Sequence, residues 1–468
     1  MPIIYPRRYY GTVLPLDFLS TATAAYGLRR LRTGYSGNCI KIRRSSDNTD
    51  LDIGFSGNNI DISALLAFVG AGNGTIRIWY DQSGNGNNAI IGAVSAPQLV
   101  TSGAIENING RPAALFSATQ GLAVSGLTLA QPFTEYAVVS PSSTGTKIVL
   151  GNTTGDQALY TESSVVKLRA NGQAIFSTKV PVGTNVGSVL SGVMNGSSSL
   201  VSSNGGYLTG TNLGTAGISG LELGTWQGGG LGFSGKIAEA IIYPTAHSIA
   251  TRGTIEDLTM SWFGVAPMGT YIFDGDSLTA GVGSSGGNTY PAQFIASIPG
   301  VNFSINDGVG GATLINMNND APSTIDNQIY ALRAPTYLMI WGGTNDMYVT
   351  GGGYTPAQTY DHLKTYIAAR RATGKYTKIV VLTSIPREDP SNNTADRFAY
   401  NDLIRAGMQP GGDLLAIGAD ILCDLQTLSM FNSAADASDT TYYDADKVHL
   451  NNTGYAQVAA KLKLTLGL

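Results

Sequence analysis

The spacing of apolar and polar positions changes character near residue 265. Up to that point, short runs such as Thr75–Tyr80, Thr134–Val139, Lys147–Leu150 and Val165–Arg169 are dense in β-branched and aromatic residues, and Gly, Asn and Ser clusters separate them. That pattern predicts short strands closed by turns, as in sandwich and jelly-roll folds. Three stretches shift toward a helical period. Thr21–Leu31 sets Ala24, Ala25, Leu28 and Leu31 on one helical face; Ser63–Val69 reads as a short apolar helix ended by Gly70; and Ser248–Phe263 closes the region before a linker at Gly264–Gly269.

From Thr270 onward apolar strands alternate with helices. The strands fall at Thr270–Phe273, Val301–Ile305, Tyr337–Trp341, Lys378–Thr383 and, more weakly, Leu414–Leu422; helices fall at Pro291–Ser297, Thr355–Ala372 and Ala395–Ala406. Such alternation predicts a parallel sheet covered on both faces, with ligands at the carboxyl ends of its strands. At 468 residues the chain is long enough for more than one domain. The expected division is an arm over residues 1–19, a β-rich domain over 20–265 and an α/β domain over 266–468.

Composition narrows the function classes. Charged residues make up 13% of the chain, against about 25% in an average globular protein. The 60 glycines and 23 tyrosines run through a chain that is 43% hydrophobic, which suits turn-rich folded domains and excludes disorder. A net charge of −4 with no long basic run argues against electrostatic capture of nucleic acid. The one basic concentration, Arg29, Arg30, Arg32, Arg43 and Arg44, reads as a solvated helix face and neighbouring strand. Two cysteines, Cys39 and Cys423, are too few for a disulfide scaffold or a cysteine metal site. No apolar run approaches the length of a membrane span, and Met1–Arg8 lacks the apolar core of a secretory signal. No metal or organic cofactor is expected.

Four segments carry candidate chemistry. Phe273-Asp274-Gly275-Asp276-Ser277-Leu278 places a serine just past an apolar strand. Asn306-Asp307-Gly308-Val309-Gly310-Gly311-Ala312-Thr313 follows the second strand, and its glycines allow backbone N–H groups to approach an oxyanion. Trp341-Gly342-Gly343-Thr344-Asn345-Asp346 follows the third strand and offers a side-chain amide. Of only three histidines, His247, His362 and His449, the last sits in Asp444-Ala445-Asp446-Lys447-Val448-His449-Leu450, before a final helix over about Thr453–Leu464. The Asp446-to-His449 spacing can bring a carboxylate onto the far imidazole nitrogen.

In this order, Ser, Gly, Asn and Asp-x-x-His, the four segments resemble the SGNH (GDSL) hydrolase family over residues 269–468. The resemblance implies a flavodoxin-like three-layer α/β domain. It implies Ser277 as nucleophile, Asp446 and His449 as its partners, and an oxyanion hole formed by the N–H groups of Ser277 and Gly311 with the side chain of Asn345. Gly310 remains an alternative to Gly311. Ala312 departs from the Asp or Asn of many members.

The stretch Trp79-Tyr80-Asp81-Gln82-Ser83-Gly84-Asn85-Gly86-Asn87 resembles a turn of the arabinofuranosidase-B-type sandwich. Phe233 to Tyr243, followed by a helix, is similar to the end of laminin-G and concanavalin-like domains. Together they imply a concanavalin-like jelly roll over roughly residues 20–263. Three roles stay open for it: a rigid spacer, a glycan-binding module, or a second glycosidase using carboxylates such as Glu222 and Asp81, the latter also readable as a turn-former. Joined, the two halves imply a serine esterase removing O-acetyl groups from a polysaccharide. Lipase or arylesterase activity in the same family, or a non-catalytic glycan-binding virion protein, are the alternatives. Low charge, the missing signal and an aromatic–basic arm at Tyr5–Tyr10 also resemble bacteriophage tail components. That implies a virion setting with homo-oligomer or assembly partners, against export by a non-classical route.

Overall fold

The structure, a computed structural model, describes residues 13–468 except 93, 172, 176–179, 210–211, 228–230, 327–335, 349–351 and 389–393. The arm segment Tyr5–Tyr10 lies outside the described residues. The chain divides into two compact units, with the boundary between Met268 and Gly269.

The N-terminal unit is mostly sheet. Nineteen of its strands are linked in one antiparallel network among the described residues. The strand Phe133–Pro141 lies at its centre, paired with Ser188–Met194 on one side and Gly235–Tyr243 on the other. Its alternate residues serve two cores. Phe133, Ala137 and Val139 enter the large core with Leu190 and Ile242, while Val138 packs with Met260 and Phe263 of the helix Ile249–Phe263. Ser248 caps that helix by accepting the Thr251 N–H, as the sequence predicts for a Ser at this position.

Thr21–Leu31 is not the expected helix: Ala24–Gly27 is a strand, paired with Glu239–Ile242. Two-residue alternation decides the matter. Ala24 and Tyr26 enter the large core, whereas Ala25 packs with Leu16, Tyr136 and Ile241. The helix preference of alanine is a few tenths of a kcal/mol, roughly, and tertiary pairing outweighs it. The arginine cluster is corrected too, because Arg29 is not solvated. It is 3% exposed and forks onto Glu239, with Nε–Oε2 2.7 Å and Nη2–Oε1 3.1 Å.

Asp81 is the turn-former. One carboxylate oxygen accepts the Ala25 and Ser83 N–H groups, and the other accepts the Ser83 hydroxyl and the Asn87 N–H. Gln82 accepts from Leu31 and donates to Gly27 and Arg29 carbonyls. The turn Trp79–Asn87 therefore fastens the first strand to the sheet.

Glu135 is fully buried, and the amide of Gln157 donates to both its oxygens at 2.9 Å. Burial pushes its carboxyl from 4.5 up to about 8. Between those values the folded chain holds a proton that the unfolded chain has lost, so stability falls as pH rises. The contribution is complete below about 4.5 and lost as pH passes about 8. Thermal unfolding is expected to move down by roughly 5 °C or more between pH 5 and pH 8.5 from this group. Glu135→Gln, which keeps the shape and cannot ionise, should flatten that slope; an unchanged slope in the variant would refute the assignment.

The C-terminal unit is built on five parallel strands: β1 (Thr270–Gly275), β2 (Phe303–Gly308), β3 (Thr336–Trp341), β4 (Lys378–Leu382) and β5 (Ile421–Cys423). Their order is β2-β1-β3-β4-β5, that of a flavodoxin-like doubly wound sheet. The helices are α1 (Tyr290–Ser297), α2 (Leu314–Thr324), α3 (Pro356–Ala372), α4 (Thr394–Gly407) and α5 (Asn452–Leu466). Strand alternation separates two cores. Tyr271, Phe273, Tyr337, Met339 and Trp341 pack with α1 and α5. Ile272, Leu338, Ile340, Ile379 and Val381 pack with α2, α3 and α4. The expected strand over Leu414–Leu422 is shorter, because Asp413–Ala416 is a helical turn and Gly418, with φ +107°, reverses the chain before β5.

No helix among the described residues is long and apolar enough to cross a membrane.

Candidate functional site

The register of the sheet sets the site. Gly275, the last residue of β1, stands level with Gly308 of β2 and Trp341 of β3. The three segments that leave these strands are therefore neighbours from the start. Asp276 caps the next turn by accepting the Leu278 N–H at 2.9 Å, and Ser277 is the first residue of the short helix Ser277–Ala280. In that place its N–H has no partner within the helix. The turn lies tight against β2: a Cβ on Gly308 would stand 2.0 Å from the Ala280 nitrogen. Burial pushes the Asp276 carboxyl up to about 7, although the Leu278 N–H and the Arg387 charge pull it down.

His449 arrives from the far end of the chain. Its Nε2 is 2.8 Å from the Ser277 Oγ, and its Nδ1 is 2.5 Å from the Asp446 Oδ2. The other Asp446 oxygen accepts the Val448 and His449 N–H groups, both at 2.9 Å. Burial raises the Asp446 carboxyl, but these bonds outweigh it and hold it below the usual carboxylate range. The turn is closed by Asp444 N–H to the His449 carbonyl, 2.9 Å, and places Lys447 at φ +56°. Glu388 secures that residue twice, by its N–H to the Lys447 carbonyl at 2.9 Å and by an ion pair with the ammonium at 2.8 Å. Two further bonds join the His449 side to the Ser277 side: Tyr455 donates to the Val282 carbonyl at 2.6 Å, and Asn452 accepts the Ser285 N–H at 2.8 Å.

The remaining two segments are stitched to each other. Asn345 is 8% exposed, and its Nδ2 donates to the Ala312 carbonyl at 3.0 Å. An amide NH₂ carries two hydrogens, so one fixes the side chain and one remains to donate elsewhere. Gly311 is exposed and has φ +79°, a left-handed conformation that glycine adopts without strain. A Cβ there would meet nothing within 4 Å, so conformation and not space selects the residue. Gly310 is also exposed.

The structure thus brings Ser277, Asp446 and His449 into one hydrogen-bonded array, with Gly311 and Asn345 on adjoining segments. It leaves the other two histidines elsewhere. His247, in the N-terminal unit, is bonded to the Tyr136 hydroxyl at 2.7 Å, and burial lowers its pKa to about 4. His362, on α3, faces Asp346. Glu222 is buried in the strand Ile218–Leu223.

Sequence reasoning gave no role to Asp346, Arg397 or Tyr455. Asp346 was visible as a carboxylate in the connection that follows the apolar strand Thr336–Trp341, directly after Asn345. The other two find their partners across long intervals of sequence, Arg397 at the Thr344 hydroxyl and Tyr455 at the Val282 carbonyl, and leave no local signal. No group of His, Cys, Asp and Glu able to hold a metal occurs among the described residues, and both cysteines are buried as free thiols.

The C-terminal unit is thus a doubly wound α/β fold with a Ser–His–Asp array at the carboxyl ends of its strands. Residues 273–457 match the GDSL-like lipase/acylhydrolase family, so the C-terminal unit carries a domain of that family. Residues 20–134 match the catalytic domain of alpha-L-arabinofuranosidase B. No curated protein matches the chain.

Among solved structures, an arabinofuranosidase complexed with arabinofuranosyl-alpha-1,2-xylobiose is similar at 18% identity and a TM-score of 0.45, over 52% of this chain and 64% of that one. The chain thus spans just under two thirds of that enzyme. A lipolytic G-D-S-L protein from Veillonella parvula shares 22% identity at a TM-score of 0.33, over 42% of this chain and 96% of its own. A family 3 carbohydrate esterase from Clostridium thermocellum shares 16% at 0.34, over 42% and 94%.

Proposed function

We propose that the C-terminal unit is a serine esterase and that its substrates are O-acetyl groups of a polysaccharide. The observation that carries the first part is the unbroken line from Asp446 through His449 to Ser277, with bonds of 2.5 and 2.8 Å. With the Nδ1 hydrogen directed at Asp446, Nε2 is the acceptor for the Ser277 hydroxyl hydrogen. Ser277 Oγ bonds to the ester carbonyl carbon as its proton passes to His449. The N–H groups of Ser277 and Gly311 and the free hydrogen of the Asn345 amide stabilise the oxyanion. The C–O bond to the alcohol then breaks, and the alcohol leaves with the proton from His449. Water repeats the sequence on the acyl-enzyme, giving the acid and restoring Ser277. Asp446 stays ionised and orients the ring.

The polysaccharide part rests on the pairing with a unit that matches a carbohydrate-cleaving family over residues 20–134. We read that unit as a concanavalin-like sandwich that holds the polymer. A cleft of about 220 Å³ in it is lined by Asn107, Asn109, Ser140, Ser142, Asn185 and Lys236. The Lys236 ammonium is paired with Glu106 at 2.9 Å, and Ile108 and Leu115 share the lining with the amides and hydroxyls, so the cleft is a mixed apolar and polar surface with little net charge, which suits a neutral sugar.

Acetate release from acetylated xylan or acetylated bacterial capsule tests the proposal, together with a series of aryl esters. Acetyl esters should be cleaved best, with kcat/KM falling by about tenfold or more toward long chains. A preference for long acyl chains would sink the deacetylase reading and leave a lipase.

A further inference from the structure

The segment Thr344-Asn345-Asp346 is gripped at every residue. The Arg397 side chain, fully buried, donates from Nε to the Thr344 hydroxyl at 2.9 Å. Asn345 donates to the Ala312 carbonyl at 3.0 Å. Asp346, with no exposed surface, spans two helices: Oδ2 accepts the N–H of Leu314, the first residue of α2, at 3.0 Å, and Oδ1 lies 3.2 Å from the Nδ1 of His362 on α3. Leu314 follows Gly311-Ala312-Thr313 directly, and its N–H is one of the four that a helix leaves unpaired at its start. Asp346 therefore closes a ring in which each oxyanion donor fixes the other: Asn345 holds the carbonyl next to Gly311, and the residue after Asn345 holds the helix that follows Gly311.

One corner of that ring can pivot. A buried carboxylate with a bond on only one oxygen turns about its own axis, and His362 supplies the bond that stops it. The imidazole is itself held, edge-on to Tyr354 with centroids 4.6 Å apart. Neither group touches the reacting atoms.

We propose that His362 is a positioning residue for the oxyanion hole, acting through Asp346 on Asn345 and Gly311. This inference rests on the serine-esterase reading above. An oxyanion donor works only when aimed at the tetrahedral state, and misplacement of about 1 Å costs on the order of 10²-fold. Loss of His362 lets the ring relax without deleting a donor, so its effect is smaller than deletion and falls on the transition state.

The test compares His362→Leu with His362→Asn in the full chain, on 4-nitrophenyl acetate. His362→Leu is expected to lower kcat by about tenfold with KM within about twofold, and to weaken inhibition by phenylboronic acid, whose serine adduct is tetrahedral, by a similar factor. His362→Asn retains an N–H donor at the place of Nδ1 and should recover most of both losses. Asp346→Asn should lower kcat in the same way, and the double variant should lose less than the product of the two single losses. A His362→Leu enzyme with wild-type kcat, a loss that asparagine does not recover, or a loss that merely follows the folded fraction overturns the proposal. Hydrogen exchange at the Leu314 amide reads the same link without turnover: His362→Leu should speed it by about tenfold or more, and unchanged exchange also overturns it. Failure of the esterase reading looks different, since the wild type would then hydrolyse the ester no faster than Ser277→Ala.

Discussion

Ser277→Ala is expected to reduce ester hydrolysis by on the order of 10⁶ in kcat, to the level the oxyanion donors supply alone. The fold should be untouched. The turn that carries Ser277 is closed by backbone bonds from Thr279 and Ala280 to the Asp276 carbonyl and by the Asp276 cap on Leu278, none of which uses the serine hydroxyl. Thermal unfolding should therefore match the wild type, which separates loss of chemistry from loss of structure. His449→Ala should cost about as much, and the double variant little more, because the two groups act as one unit. Residual activity in Ser277→Ala within about tenfold of wild type would mean that another group attacks the ester, and the proposed mechanism would be wrong.

Asn345→Ala carries the second largest effect, about 10²–10³ in kcat with little change in KM, the usual loss for one oxyanion donor. Unlike the serine, this residue also supports the structure. Its amide satisfies the Ala312 carbonyl in a buried setting, and an unsatisfied buried acceptor costs about 1–3 kcal/mol. A fall in unfolding temperature of a few degrees should accompany the loss of rate. Asn345→Asp should be slower still, since a carboxylate would face the developing negative charge. Steady-state kinetics with calorimetry on the same samples checks both parts; a change confined to KM would place Asn345 in ground-state binding and remove it from the oxyanion hole.

The order of strands and helices in the C-terminal unit was legible chiefly because β1, β3 and β4 are apolar runs between helical periods, a pattern that burial on both faces imposes, whereas the edge strand β2 has no buried residue. The candidate array was legible for a different reason. Ser277, Gly311, Asn345 and His449 each follow a strand or precede a helix, so local pattern alone puts them at one edge. In the N-terminal unit the same reasoning failed at Thr21–Leu31, where two alanines and two leucines imitate a helical face. What decides that segment is remote: Glu239–Ile242 on one side, Asp81 and Gln82 on the other. Arg29 misleads likewise, since its partner Glu239 lies 210 residues away. Residues that position the site, such as Asp346 and Tyr455, share this property. Their partners come from other elements, and no periodicity in one stretch announces them.

The division of labour along β1, β3 and β4 has a bearing on how a chain of this fold changes the substrate it accepts. The strands are committed to two interiors by strict alternation, while the proposed reactive groups lie in the connections that begin where the strands stop. Insertions or exchanges in those connections leave the alternation intact. An insertion between Gly286 and Gly287, both exposed and clear of the bonds at Val282 and Ser285, should redirect which acylated partner is accepted while the scaffold melts where it did before. A substitution at a buried position of these strands can do neither cleanly, because that position already belongs to one interior or the other.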